Sequence, residues 1–223
     1  MNRTILRNRL AVGLLAAAPV ISVAADDSMR TYAVNITNLT RGISFTPVMV
    51  ATHQKGTRIY TLGQPPSDAL ATLAEGGDIG PLAALLSAMP KSSVASSTGL
   101  LDPGQNVTVT ISASKGASHL SLAAMMLPTN DGFIGVTDVA LPRGKQSLAY
   151  LSSGHDAGSE PNDELCTNIP GPFCQGLGGS PGVGGEGHVH IHAGIHGIGN
   201  LAPSDYDWRN PVARITVRQV DSE

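Results

Sequence analysis

The chain predicts an all-β protein, an antiparallel β-sandwich. Three observations carry this. Short runs alternate apolar and polar residues, the period of a strand with one face buried. Helical periodicity is confined to one stretch near residues 67–89. The runs are separated by turn residues, drawn from 26 glycines and 15 prolines.

Residues 1–25 read as a secretory leader. Arg3, Arg7 and Arg9 form a basic start, Leu10 to Ile21 an apolar stretch, and Ser22-Val-Ala-Ala25 a small-residue cleavage site. The apolar stretch is about a dozen residues, short for a bilayer span, although an uncleaved anchor is the alternative. No later segment reaches ~18 apolar residues, so no membrane span is expected after it. Export to the periplasm or the cell exterior is therefore expected.

The first strand is Tyr32 to Leu39, alternating throughout, and a second run covers Phe45 to Thr52. Thr57 to Leu62 either pairs or crosses over. Ser67 is placed to cap a helix from Asp68 to Glu75, stopped by Gly76-Gly77. A second helix is expected from Ile79 to Met89, ended by Pro90. This Ala/Leu-rich pair reads as a cap on the sheet, with a lid as the alternative.

Leu101-Asp-Pro-Gly104 is a turn, and Val107 to Ile111 alternates after it. His119 to Leu127 is uniformly apolar, as for a central strand covered on both faces. Phe133 to Leu141 follows, then residues 146–152 as a strand or a helical turn. Residues 154–187 read as a long ordered loop, and Val212 to Val217 as the closing strand.

Two acidic turns in the second half carry the chemistry. Asn130-Asp131-Gly132 closes one apolar run, and Asp156-Ala-Gly-Ser-Glu160 follows another. Brought to one end of a sandwich, they would form an all-oxygen site of the kind a hard cation needs. Gly132 and Gly158 would let the backbone turn towards the ion. The plain alternative is that these aspartates only stabilise turns.

A second cluster is His188-Val-His190-Ile-His192, then His196. Strand alternation puts the first three imidazoles on one face. Residues two apart sit ~7 Å apart and can share Zn²⁺ or Cu²⁺, whereas residues four apart are ~13 Å apart. His196 or Glu186 could be a third ligand. A hydrogen-bonding ladder on an edge strand is the structural alternative. Imidazole is a poor calcium ligand, so these histidines are expected to stand outside any calcium shell.

Cys166 and Cys174, the two cysteines, are expected to pair in an exported chain; metal thiolates are the alternative. Formal charge is −3, more negative still without the basic leader, and the four lysines form no run. Nucleic-acid binding is not expected, since phosphate contacts need clustered cations. No nucleophile elbow or phosphate loop in its strand-to-helix context appears, and His155 beside Asp156 is the nearest thing to a catalytic dyad. Trp208 reads as a packing anchor, with a sugar platform as the alternative. No catalytic residues are assigned and the chain is not expected to be an enzyme.

Four stretches in this order resemble the spondin N-terminal domain in its compact bacterial form. They are Tyr32 to His53, Leu127 to Gly135, Asp156 to Glu160, and His190 to Gly199 with Tyr206 to Val217. The resemblance covers roughly residues 30–220 as one domain. It implies a C2-like sandwich holding one Ca²⁺ between loops at one edge, through Asp131, Asp156 and Glu160. Animal relatives have tryptophan after the first aspartate, where this chain has Gly132 and Phe133, and often aspartate at the position of Glu160.

The resulting expectation is an exported calcium-binding module of adhesion type, with an extracellular or envelope ligand of unspecified chemistry. A Zn²⁺ or Cu²⁺ binder using His188, His190, His192 and His196 is the alternative. A hydrolase activating metal-bound water is a further one.

Overall fold

The computed structural model describes residues 1, 29–179 and 184–220. Nearly all of the leader expected at residues 1–25 lies outside the described residues.

The elements run in chain order as β1 (Arg30–Asn38), β2 (Ser44–Phe45), β3 (Met49–His53), α1 (Asp68–Gly76), α2 (Gly80–Ser87) and β4 (Ser93–Ser96). These are followed by β5 (Asn106–Ala113), β6 (His119–Leu127), β7 (Gly132–Ala140), β8 (Ser147–Ser152) and β9 (Gly154–Asp156). The chain then forms β10 (His190–Ile191), α3 (Pro203–Tyr206) and β11 (Ala213–Val220). Two antiparallel sheets result, as expected of a sandwich. One has the order β5-β1-β11-β8; the other runs β10-β9-β7-β6-β3-β4, with β2 pairing on β6.

The alternation of β1 is the cause of its position. Tyr32, Val34 and Ile36 are buried, while Asn35 and Thr37 point outward and bond to each other and to Asn106 and Thr108. Its register sets Val34 against Val109 on one side and Val217 on the other. These residues meet Leu120, Leu122 and Ala124 of β6 in the core between the sheets. Burying such side chains stabilises by about 1.5–3 kcal/mol each, the main force joining the layers.

The outer face of the larger sheet carries a second core. Met49, Ala51, Ala123 and Phe133 meet Leu70 and Leu73 of α1 and Leu82 and Leu86 of α2. That cover explains the largely apolar run of β6, whose residues from Leu122 to Leu127 are all apolar and buried. The Ser67 side chain accepts a hydrogen bond from the Leu70 amide at 3.2 Å, and Gly77 ends α1 in a left-handed conformation. Residues 146–152 resolve as the strand β8. Residues 57–62 cross over the sheet without forming a strand. The short edge strand β4 has no apolar alternation to announce it, and only pairing with β3 makes it a strand.

Cys166 and Cys174 form a disulfide within the long loop. Among the described residues, no helix is long and apolar enough to cross a membrane.

Candidate metal centre

The acidic turns meet because three short pairings converge at one sheet end. Gly132 of β7 pairs with Asp156 of β9, and His190 of β10 pairs with the other side of Asp156. The Ala157 amide donates to the Asp131 carbonyl at 3.2 Å, joining the two turns directly. Gly158 then lets the returning chain come close: its φ is +70°, and a Cβ there would lie 2.4 Å from the His188 carbonyl oxygen. The Gly187 amide donates to the Gly158 carbonyl at 2.8 Å, pinning that approach.

Asp131 is fully buried. Its Oδ2 accepts from the amides of Ser159 at 2.7 Å and Glu160 at 3.0 Å, and from the Ser159 hydroxyl at 3.2 Å. Its Oδ1 has no hydrogen-bond partner. Burial, then the neighbouring Asp156 charge, push the Asp131 carboxyl up to about 7, against the pull of the Glu160 and Ser159 donors. Asp156 is equally buried; its Oδ1 accepts from the Gly158 amide at 2.7 Å and its Oδ2 from the Asn162 amide group at 2.6 Å. Among the described residues no lysine or arginine pairs with either aspartate.

The histidines divide. His190 Nε2 lies 3.5 Å from Asp156 Oδ1 and 3.5 Å from Glu186 Oε2, and His192 Nε2 lies 4.0 Å from Asp156 Oδ2. Asp156, Glu186 and His190 form a set whose ligand atoms all lie within 4.8 Å of one another. Burial opposes charge on His190, but its bond to the Ile191 carbonyl and the carboxylates of Asp156 and Glu186 prevail and raise its pKa. Burial lowers that of His192. His188 is exposed beside His190, their ring centroids 5.2 Å apart. His196 stands apart on the surface, and its amide rather than its ring is held.

The structure thus brings Asp131, Asp156 and the Glu160 amide together, and sets His190 and His192 against the same Asp156. Asp156 borders both the oxygen cluster and the histidine segment. The strand that carries these histidines is shorter than their spacing suggested. β10 ends at Ile191, and His192 turns in over Gly132 against Trp208, their rings 4.9 Å apart.

His155 is no partner of Asp156. Alternation turns it to the opposite face, where it stacks on Phe133 at 5.2 Å beside Tyr60, and burial lowers its pKa to about 4. Trp208 is 7 % exposed and packs beside Gly154, so it is a packing anchor.

One buried acid was not legible beforehand. Glu164 is 3 % exposed, and its carboxylate accepts from the amides of His196 at 2.5 Å, Gly197 at 2.7 Å and Ile198 at 3.0 Å. It clamps the loop that follows the histidine segment. No local pattern around Glu164 announces this, since its partners lie more than 30 residues away.

Residues 27–156 match the family described as Spondin_N. The chain belongs to the spondin N-terminal family. The matched span takes in Asp131 and ends at Asp156, leaving Glu160, Glu186 and the histidine segment beyond it. No curated protein matches the chain. Within this spondin domain, two buried aspartates lie together with no lysine or arginine beside them among the described residues, and Asp156, Glu186 and His190 form a set that could hold a divalent cation.

Proposed function

We propose that the protein is an exported, non-catalytic binding module of adhesion type, whose loop end is held by one calcium ion. Membership of the spondin family and the disulfide support export and an extracellular role. The ligands would be Asp131, Asp156 and Glu160, completed by loop carbonyls or water.

One observation carries the calcium reading: Asp131 Oδ1 is buried without a hydrogen-bond partner, next to a second buried carboxylate. A buried carboxylate oxygen left without a partner is costly, and a divalent cation would offset that cost and the repulsion between the two acids at once. Hard carboxylate oxygens on irregular loops match calcium, which tolerates irregular geometry at ~2.3–2.6 Å. Bound, the ion would tie the 129–132 turn to the 156–160 turn.

Calorimetric titration of the chelator-treated protein tests this. Calcium should bind at one site per chain and raise the melting temperature, and Asp156→Ala should abolish both effects. Absence of binding at millimolar calcium would remove the proposal.

A further inference from the structure

We propose a second divalent-cation position next to the first, built from His190 Nε2, Asp156 Oδ1 and Glu186 Oε2 and suited to a borderline ion of the zinc class. It shares Asp156 with the calcium reading but does not depend on it. Neither Asp131 nor Glu160 takes part.

Two of the three donor separations match a cation shell, and the two carboxylate oxygens lie within 4.8 Å of each other. His190 Nε2 lies 3.5 Å from each of the two carboxylate oxygens. Two donors on a tetrahedral zinc at ~2.0–2.1 Å stand about 3.3–3.4 Å apart, so these separations need shifts of only tenths of an ångström.

Proton placement points the same way. His190 Nδ1 lies 3.0 Å from the Ile191 carbonyl, which can only accept. The ring proton of the neutral imidazole therefore sits on Nδ1, leaving the Nε2 lone pair aimed at the two carboxylates. That Nε2 atom is buried and has no hydrogen-bond partner. A backbone carbonyl on the far nitrogen is the usual way a metal-binding histidine is oriented.

His192 differs in a way that gives it another role. Its Nδ1 accepts from the Gly194 amide at 3.0 Å, so its proton resides on Nε2. That Nε2–H, on a side chain 2 % exposed and without a hydrogen-bond partner, faces Asp156 Oδ2 at 4.0 Å. A protonated nitrogen cannot bind a metal, so His192 is no ligand; at 4.0 Å it makes no hydrogen bond to Asp156 and packs on Trp208 instead. The Asn162 amide group orients that carboxylate through Oδ2. His188 Nδ1 holds the Glu186 carbonyl at 3.0 Å and steadies the chain that presents the third ligand.

The donor set decides the ion class. One imidazole nitrogen with two carboxylate oxygens favours zinc-class ions over calcium or magnesium, for which nitrogen is a poor donor.

The test uses the full folded chain, stripped with chelator, with zinc alone as the probe. One zinc per chain should bind. His190→Ala and Glu186→Gln should each weaken it by about tenfold or more while the calcium-dependent melting shift persists. Asp156→Asn should abolish both responses. Imidazole ¹⁵N spectra of the unsubstituted protein supply a readout free of any variant: zinc should shift His190 Nε2 and leave its Nδ1–H in place. The proposal is overturned if zinc binds His190→Ala as tightly as the parent. It is also overturned if zinc leaves the His190 resonances unmoved, in which case His190 serves only as a protonated countercharge to the two acids.

Discussion

Replacing Asp131 with asparagine separates a calcium ligand from an ordinary buried acid. In the metal-free protein the carboxyl is pushed from 3.8 up to about 7 by burial and by Asp156. An acid held above its unfolded value binds its proton more tightly when folded. The ionised form is then penalised, and stability falls as pH rises from about 4 to about 7. About three pKa units at about 1.4 kcal/mol each set a ceiling near 4 kcal/mol at pH 8. Asparagine removes the charge yet keeps an oxygen to accept from Ser159 and Glu160, losing about 1 kcal/mol of charge assistance. Metal-free Asp131→Asn should therefore be more stable than the parent by about 1–3 kcal/mol at pH 8 in urea unfolding with chelator. Calcium at 100 times its dissociation constant should add about 2.7 kcal/mol to the parent and little to the variant. Wherever the metal-free lead of the variant is below about 2.7 kcal/mol, the two proteins change rank when calcium is added. A variant that is less stable without metal, or that keeps the full calcium increment, would refute the reasoning.

Three further outcomes are expected. His53 is buried between the Gln54 carbonyl and the Ser121 hydroxyl, each at 2.8 Å, and burial lowers its pKa. The folded state then binds fewer protons than the unfolded one, so stability is lost as pH falls below about 6.5, and His53→Gln should flatten that slope in urea unfolding between pH 7.5 and 5.5. Gly158→Ala would place a methyl 2.4 Å from the His188 carbonyl at a φ of +70°. It should cost about 1–3 kcal/mol, and hydrogen exchange at residues 186–190 should quicken, because the returning chain is forced off Asp156. Glu164→Gln leaves one oxygen for the three amides of residues 196–198 and sets an NH₂ against the rest. It should cost about 3 kcal/mol in urea unfolding; an unchanged midpoint would show that the clamp is dispensable.

What could be read from the amino-acid order was local in origin. The alternation of Tyr32, Val34 and Ile36, the Ser67 cap and the Gly77 stop each depend on residues within a few positions, so strand and helix assignments followed directly. The two acidic turns were visible for the same reason, since carboxylates beside glycine are a short-range signal. The spondin resemblance carried that reading further, to a named set of ligands.

Tertiary structure alone decided how those acids are used. The pairing of β9 with both β7 and β10 sets Asp156 against Gly132 and His190, across 24 and 34 residues of chain. β10 is only two residues long, so packing beyond the strand end is what sets His192 against both Asp156 and Trp208. Which nitrogen of each neutral imidazole carries its proton depends on the Ile191 carbonyl for His190 and on the Gly194 amide for His192. Spacing along a chain says which groups are available. Their burial, charge balance and proton positions arise only when distant segments exclude water together.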